Sequence, residues 1–182
     1  KCKIKNSSEV MLIKSKNFAV LPNTTHINLK DVARKINLKK IIKKILTFNN
    51  WFKLNYKKYP RIGVLGLNPH NAELEKSSEE SKIIVPSIKK LQKKGLKITG
   101  PLVSDTVFIN EYRKYDVIVG MYHDQVLAPF KTIFKFDAIN ITLGIKYLRL
   151  SPDHGVAKNI MKKKVADHTS LSRCINFLEK YQ

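Results

Sequence analysis

Cysteine is scarce in this chain of 182 residues, which contains only Cys2 and Cys174. The two thiols lie near opposite ends and form no CxxC pair, so the sequence offers neither a disulfide framework nor a zinc ribbon. No apolar run approaches the roughly 18–20 residues that span a bilayer. A reducing, cytoplasmic setting without a membrane anchor is therefore expected. The chain also lacks an initiator Met, which favours a fragment of a longer protein.

Several sequence motifs of nucleotide-binding and hydrolytic enzymes are also missing. The chain has seven glycines but no GxGxxG fingerprint, no GxxxxGK[ST] loop and no GxSxG elbow. A standard Rossmann site, a P-loop and an α/β-hydrolase nucleophile are thereby excluded. A nucleotide, if one binds, must be held by another architecture.

Acidic residues are few, at 14 against 35 lysines and arginines, which gives a net charge of +21. A nucleic-acid interface usually has basic residues on one face with arginine prominent, but arginine occurs here at only five positions. The lysines are spread along the chain, many at polar positions of predicted amphipathic helices. A solvated lysine-rich surface is therefore favoured, and a basic nucleic-acid-binding module remains the alternative outside the enzymes.

Alternating strand and helix patterns predict an α/β fold with a largely parallel sheet. Residues 10–13 and 18–21 predict a β-hairpin, and the apolar runs 61–67, 115–121 and 138–143 predict buried strands. Helical periodicity covers residues 30–56 in two pieces, with Asn28 as a plausible N-cap. Further helices are predicted from Ser78 or Pro86 to Lys94, where Gly95 ends the helix, and over residues 153–163 and 169–181, the last capped by Thr169 or Asp167.

Three of the five histidines directly follow predicted strands. These residues are His26, His70 and His123. Ligands of open α/β sheets bind beyond the carboxyl ends of strands, and neutral imidazole is the commonest metal ligand in proteins. The histidines are far apart in the sequence and form no local HExxH-type motif. Spacing alone therefore leaves open a shared metal site or three separate structural roles.

Five other polar residues are candidates for chemistry at the same site. Asp105 and Asp124 can orient a ligand histidine or assist proton transfer, or they can be turn or N-cap residues. Lys131, Asn140 and Arg149 are spaced nine apart, on or near the third predicted strand, and can present a cation, an amide and a guanidinium to an anion. Because Arg149 lies in an apolar segment, it is expected to be buried and paired with a substrate phosphate or carboxylate or with a structural Asp.

Five motifs occur in an order that resembles a known family. They are GLNPH (66–70), GPLVSDT (100–106), MYHDQ (121–125), NITLG (140–144) and DHG (153–155), preceded by Thr24-Thr25-His26. Together they resemble the 4-hydroxythreonine-4-phosphate dehydrogenase family of vitamin B6 biosynthesis, from about residue 10 to the end of the chain. GLNPH, MYHDQ and NITLG in this order are specific, whereas any one alone would not be.

The resemblance implies a fold and an oligomeric state. The expected fold is a three-layer α/β/α architecture like that of isocitrate and isopropylmalate dehydrogenases, here a fragment without its N-terminal half. Residues 1–58 would belong to a dimerisation and substrate lobe, and residues 59–182 to a C-terminal lobe with metal and substrate residues. A homodimer with an active site shared at the subunit interface is implied.

The resemblance also implies an activity. The expected reaction is NAD(P)-dependent oxidative decarboxylation of 4-hydroxythreonine 4-phosphate to 3-amino-2-oxopropyl phosphate and CO2 in pyridoxal 5′-phosphate biosynthesis, with a divalent metal (Zn, Mg or Co). His26, His70 and His123 would bind the metal. Lys131, Asn140 and Arg149 would bind substrate, and Lys131, Asp105 and Asp124 are the candidates for proton transfer.

Two segments depart from the family pattern, and three alternatives remain open. A glycine-rich AGE-type loop is usual after His70, where this chain has Asn71-Ala72-Glu73, and glycines usual before Asn140 are replaced by Phe134-Lys135-Phe136-Asp137. Residues that contact the cofactor are not identified. The alternatives are a dehydrogenase of another four-carbon acid phosphate (threonate or erythronate 4-phosphate), an inactive fragment and the nucleic-acid-binding module.

Overall fold

A single seven-stranded sheet organises the chain. The computed structural model describes residues 9–153, 160 and 165–180. The strand order is β4-β3-β5-β2-β1-β6-β7. The strands are β1 (Val10–Lys14), β2 (Ala19–Pro22), β3 (Ile62–Leu65), β4 (Ile98–Leu102), β5 (Val117–Gly120), β6 (Ile139–Leu143) and β7 (Arg149–Pro152).

Helices and turns connect these strands. The α-helices are α1 (Val32–Lys35), α2 (Leu38–Tyr56), α3 (Val85–Gln92), α4 (Ser104–Val107), α5 (His123–Phe134) and α6 (Thr169–Glu179). Short 3-10 turns are formed by Leu29–Asp31 and Glu111–Lys114, and a π-helical turn is formed by Glu80–Ile84. Within the described residues, no helix combines the length and apolar character needed to cross a bilayer.

The sheet is half parallel and half antiparallel. Strands β4, β3, β5 and β2 pair in parallel, whereas β2–β1, β1–β6 and β6–β7 are antiparallel ladders. The prediction of a largely parallel sheet was therefore wrong for one half. The predicted hairpin is confirmed, and it explains the antiparallel half of the sheet. Its first strand, β1, runs opposite to β2, and β6 pairs with the other edge of β1 in antiparallel orientation.

Hydrophobic clusters cover both faces of the sheet and give the predicted three-layer arrangement. On one face, Val10, Leu12 and Ile141 pack with apolar residues of α2, α3 and α6. On the other face, Ile13 and Val20 pack with residues of α4 and α5. The alternation of Leu12 and Ile13 between faces follows from the two-residue period of a strand. The sheet also joins β1 and β2 directly to the strands after residue 58, so both predicted lobes contribute to one sheet.

Most predicted helices are confirmed, with different capping. The helical segment 30–56 is in two main pieces, and Asn28 precedes the first turn without a side-chain cap bond. The cap of α2 is Asn37, whose side chain accepts a hydrogen bond from the Lys40 backbone at 2.9 Å. At α6 the Thr169 N–H donates to the Asp167 carboxylate at 2.9 Å, whereas His168 occupies the N-cap position.

Proline and glycine set the limits of the helix between β3 and β4. Pro86 lies in the first turn of α3, as predicted, directly after the π-helical turn. A proline cannot donate to the preceding turn and its ring crowds the carbonyl four residues earlier, which favours a widened turn there. Gly95 ends the segment with φ +81°, a left-handed conformation that suits glycine.

Several elements were not predicted. Strands β4 and β7 and helix α5 had no assignment from the sequence, and α5 includes Pro129. Lys131 is therefore on α5 rather than on or near the third predicted strand, and Arg149 is on β7. The predicted helix 153–163 and the DHG motif fall mainly on residues 154–159 and 161–164, which lie outside the described residues.

A left-handed turn follows β3. Residues 70–74 all have positive φ, between 46° and 59°, and none of them is glycine. Each such residue places its Cβ close to the next carbonyl oxygen, at a cost of roughly 1–2 kcal/mol. The turn therefore raises the energy of the folded chain at the segment that carries His70.

The buried carboxylate of Glu80 fixes the loop before this turn. Its Oε1 accepts hydrogen bonds from the Leu67 and Asn68 backbones, each at 2.7 Å, and its Oε2 accepts one from the Asn68 side chain at 2.9 Å. Burial raises the pKa of Glu80, but the N–H donors of Asn68 and Leu67 outweigh it and hold the pKa below its usual value. Glu80 therefore joins the π-helical turn to the GLNPH loop in its charged form.

The turn predicts a stabilising substitution. Ala72→Gly should raise the free energy of unfolding by about 1 kcal/mol, because glycine adopts positive φ without the Cβ clash. The matched control is Ala33→Gly, on the exposed side of α1, which should lower it by about 1 kcal/mol. Urea unfolding measures both, and no gain for Ala72→Gly would contradict a left-handed turn.

Glu80 predicts a pH-dependent loss of stability. Glu80→Gln should cost about 2–3 kcal/mol at pH 7, because its amide group would face N–H donors. A depressed pKa means that this contribution is complete above the unfolded-state pKa and is lost as the pH falls through the folded-state pKa. The difference in the free energy of unfolding between the unsubstituted protein and Glu80→Gln should therefore become smaller between pH 6 and pH 3, roughly the range in which carboxylates titrate. Urea unfolding at each pH measures this difference. Glu75→Gln, on an exposed side chain, should change little at any pH.

Candidate metal and substrate site

Three loops that carry the predicted metal ligands lie at one edge of the sheet. Strands β2, β5 and β3 are parallel neighbours, so their carboxyl ends meet at the same edge. The loop after β2 carries His26, the loop after β3 carries His70, and α5 begins at His123 directly after β5. This is the edge where ligands of α/β sheets usually bind.

Two of the three histidines are close together. The ring centroids of His26 and His123 are 5.5 Å apart, and the rings are tilted by 44°. Both line a pocket of about 510 Å³, the histidine pocket, together with Thr24, Thr25 and Tyr122 among others. Two ring nitrogens can therefore face the same small volume.

A carboxylate orients one of these rings. The Nδ1 atom of His123 lies 2.6 Å from Oδ1 of Asp124. A carboxylate at one ring nitrogen selects the tautomer and leaves the other nitrogen, Nε2, available as a ligand. Asp124 is thus in the position that the sequence analysis proposed for an orienting residue, on an exposed first turn of α5.

Hydrogen bonds between loops bring the two histidines together. The Thr24 hydroxyl donates to the Met121 carbonyl at 2.8 Å, and the Thr24 backbone N–H donates to the same carbonyl at 3.1 Å. The Asn23 N–H donates to the Gly120 carbonyl at 2.7 Å. The loop of His26 is therefore fixed to the end of β5, two residues before His123.

Gln125 is a positioning residue that the sequence analysis did not single out. Its Oε1 accepts from the Met121 N–H at 2.7 Å, and its Nε2 donates to the Gly66 carbonyl at 2.7 Å and to the Ser104 hydroxyl at 2.8 Å. One carboxamide thus joins the ends of β5 and β3 to the start of α4. Its place in the MYHDQ motif was the available signal.

His70 is not brought to the other two histidines in the single chain. It is exposed on the left-handed turn and does not line the histidine pocket. Within the described residues, no group of three His, Cys, Asp or Glu side chains is close enough to hold a metal ion. The chain as described therefore presents two of the three predicted ligands as a pair.

Asp105 lies beside this region, and its side chain forms no hydrogen bond or ion pair with another described residue. It is exposed in the first turn of α4, next to Ser104, which Gln125 contacts. The helix α4 is thereby held near the start of α5. Asp105 lies at the carboxyl edge of the sheet, after β4, but no described side chain directs it toward the histidine pair.

The three predicted substrate residues lie at two separate places on the α5 side of the sheet. Asn140 and Thr142 share that face, because their neighbours Ile139 and Ile141 point to the opposite cluster. Arg149 pairs with Thr142 across the β6–β7 ladder, near the carboxyl end of β6, and its guanidinium donates to the Thr142 hydroxyl at 2.9 Å. Arg149 is exposed, so the expectation that it is buried was wrong.

Lys131 points to the other end of β6. Its Nζ donates to the Asp153 carbonyl at 3.0 Å and lies 3.4 Å from the Asp153 carboxylate. Asp153 follows β7, whose last residue pairs with Ile139. Ile139 is three residues before Thr142, which is about 10 Å along the strand. The buried Asp153 is held by a hydrogen bond from its N–H to the Ser170 hydroxyl at 2.8 Å, and its Oδ2 has no hydrogen-bond partner in the part of the chain that the structure describes.

Comparison with known proteins agrees with these motifs. Residues 1–178 match the family described as pyridoxal phosphate biosynthetic protein PdxA. The 4-hydroxythreonine-4-phosphate dehydrogenase of Sulfurihydrogenibium sp. (strain YO3AOP1) is 44% identical over 162 residues, which are 88% of this chain and 50% of that protein. A protein of Oceanobacillus iheyensis, provisionally named a D-threonate 4-phosphate dehydrogenase, is 34% identical over 91% of this chain and 51% of its own length.

A solved structure extends the match to the fold. The crystal structure of 4-hydroxythreonine-4-phosphate dehydrogenase from Klebsiella pneumoniae superposes with a TM-score of 0.82 and 33% identity, covering 95% of this chain and 53% of that one. The chain spans about half the length of the curated relatives that it matches. On the family match and the shared fold, the chain belongs to the PdxA family of pyridoxal phosphate biosynthetic proteins.

Proposed function

We propose that this chain supplies metal- and substrate-binding residues to an enzyme that oxidises and decarboxylates 4-hydroxythreonine 4-phosphate with NAD. The secondary alcohol β to the carboxylate would lose a hydride to NAD and a proton to a base. The β-keto acid would then release CO2 and take up a proton to give 3-amino-2-oxopropyl phosphate. The observation that carries the proposal is the His26–His123 pair at the carboxyl edge of the sheet, in a member of the PdxA family.

The donor set fits a divalent metal. Two imidazoles on one tetrahedral ion have ring centres about 5 Å apart, given metal–nitrogen distances of about 2.1 Å, and the observed separation is 5.5 Å. Nitrogen ligands favour zinc or cobalt over magnesium, which prefers oxygen. Such an ion supplies a Lewis acid that lowers the pKa of an alcohol and stabilises negative charge on oxygen.

We propose that His70 of a second copy of the chain completes this site. The support is that His70 and Leu74 are exposed on the same left-handed turn, with Leu74 52% exposed. An apolar side chain beside a ligand histidine is covered when a partner docks there. A homodimer that shares its active site would account for both features.

The remaining residues would orient the substrate and manage protons. Asp124 would keep the His123 ring in one tautomer, and Gln125 would fix the loops around it. Arg149 and Asn140 would hold the phosphate or the carboxylate, because a guanidinium and an amide donate several hydrogen bonds to an oxyanion. Lys131 would act with Asp153 as a proton carrier, or Asp105 would after closure of the site.

A second substrate is supported by one relative. The Oceanobacillus protein whose provisional name specifies D-threonate 4-phosphate shares this part of the chain. That substrate has a hydroxyl where 4-hydroxythreonine 4-phosphate has an amine, and the same metal and anion ligands would serve both. Comparison of kcat/KM for the two compounds distinguishes the activities.

The metal proposal predicts the effect of removing a ligand. His123→Ala in the whole protein should weaken zinc binding by more than about 100-fold and should abolish turnover. This loss is larger than the one expected when a residue that only hydrogen-bonds to a ligand is replaced. Asp124→Asn should weaken zinc binding less, by about 10–100-fold. The control is His168→Ala, an exposed histidine at the start of α6. Equal zinc affinity of the His123 variant and the control, by competition with a chelating dye, would exclude this site.

The substrate proposal predicts a selective rise in KM. Arg149→Gln should raise KM for the phosphorylated substrate by about tenfold or more, with a smaller change in kcat, because it removes a contact made before and during the reaction. Arg113→Gln removes the same charge at an exposed position away from this edge and should leave KM unchanged. Steady-state NADH formation measures both. Parallel effects of the two variants would mean that only overall charge matters.

A further inference from the structure

A second pocket, rich in lysine, adjoins the histidine pocket. It has a volume of about 380 Å³ and shares Thr24, Thr25 and Ile27 with the histidine pocket. Five lysines and one glutamate, Glu9, line it with Asn23. We call it the lysine pocket, after its five lysines, Lys35, Lys39, Lys40, Lys43 and Lys44.

The positive charge of this pocket exceeds its negative charge, because Glu9 is the one acidic residue among the described residues that line it. None of the five lysines forms an ion pair with another residue in the described part of the chain. Burial, and then the charge of Lys40, lower the pKa of Lys44, whose amine donates to the Asn23 carbonyl at 2.7 Å. The pocket therefore concentrates positive charge that an anion would relieve.

The position of the lysines on α2 adds to this field. Four of them, Lys39, Lys40, Lys43 and Lys44, lie in the first two turns of the 19-residue helix, which has no acidic residue in its first turn. The N-terminus of a helix carries a partial positive charge, so cations there are unfavourable and anions favourable. Folding alone does not favour this arrangement, whereas anion binding does.

An unsatisfied amide in the same pocket is an independent sign of a ligand. Asn23 is 3% exposed, and among the described residues neither its side-chain oxygen nor its side-chain nitrogen has a hydrogen-bond partner. Buried amides are nearly always hydrogen-bonded, because an unpaired polar group costs free energy. A phosphate oxygen entering beside Asn23 would accept a hydrogen bond from this nitrogen after a small side-chain movement.

We propose that the lysine pocket binds the phosphate groups of a phosphorylated small molecule. The ligand class is a diphosphate or a larger phosphate ester, because several amines surround one cavity of limited volume. This inference goes beyond the proposed function and does not require it. The ligand could be the dinucleotide that the reaction uses or a separate phosphorylated effector, since both present the same chemistry next to the histidine pocket.

Titration of the whole protein with inorganic pyrophosphate tests the proposal. Calorimetry at low ionic strength should detect binding, and Lys39→Gln with Lys43→Gln should weaken it by about tenfold, because two charge-assisted contacts are lost. The matched control is Lys89→Gln with Lys90→Gln, which removes the same charge from exposed positions on α3. Equal weakening by both pairs would overturn the proposal, because it would show diffuse attraction.

A second readout measures binding on the unsubstituted protein and uses one variant only to assign its resonances. The Asn23 side-chain amide resonances, assigned by their loss in Asn23→Ser, should shift when pyrophosphate is added to the unsubstituted protein, and unchanged resonances at saturation would contradict the site. Competition by NAD would identify the dinucleotide as the source of the phosphates, and absence of competition would identify a separate effector; both support the pocket. Duplex DNA that displaces pyrophosphate and binds less to the Lys39/Lys43 variant would overturn it in favour of a nucleic-acid surface.

Discussion

The hydrogen bonds that join the carboxyl ends of β2, β5 and β3 are the constraint on which the site depends. Parallel pairing places the three loops at one edge, but pairing alone does not fix where their side chains lie. Thr24 fixes the first loop to Met121, and the Gln125 carboxamide joins Met121 to Gly66 and Ser104. Because these bonds are made partly by backbone groups at strand ends, they satisfy polar atoms that would otherwise be unpaired. The same bonds that complete the fold therefore position His26 and His123.

The loops after β3 and β2 differ in whether their buried polar groups find partners within the described chain. At the β3 loop, the charged carboxylate of Glu80 is fully buried and accepts hydrogen bonds from three N–H donors, which hold the loop in place up to Asn68. Beyond it the backbone enters the left-handed turn, where His70 and Leu74 are exposed. At the β2 loop, the buried Asn23 side chain has no hydrogen-bond partner among the described residues, and the lysines that line the same pocket form no ion pair there. The polar groups of the β3 loop are satisfied within the described chain. We propose that a second copy of the chain covers the left-handed turn and that a phosphate binds beside Asn23.

Elements with a clear apolar periodicity were predicted correctly from the sequence. Elements and residue positions that depend on strand pairing or on solvent exposure were not. The hairpin, α2 and the buried strand at residues 117–120 follow from apolar spacing and capping residues. The helix α5 was missed because it begins inside the MYHDQ motif and includes Pro129. Strand β7 was missed because its sequence, RLSP, has no apolar run, and its position is set by pairing with β6. The proximity of His26 and His123 was inferred from strand ends, whereas the separation of Lys131 from Arg149 needed the register of β6 and β7.

X-ray absorption spectroscopy of the cobalt-substituted whole protein tests the central claim most directly. We expect a first shell with at least two imidazole nitrogens at about 2.1 Å, as is usual for histidine ligands. A third imidazole that is lost when His70 is replaced would fit a site completed by a second copy. A shell of oxygen atoms alone, unchanged when His26 and His123 are replaced, would contradict the claim that this histidine pair holds the metal.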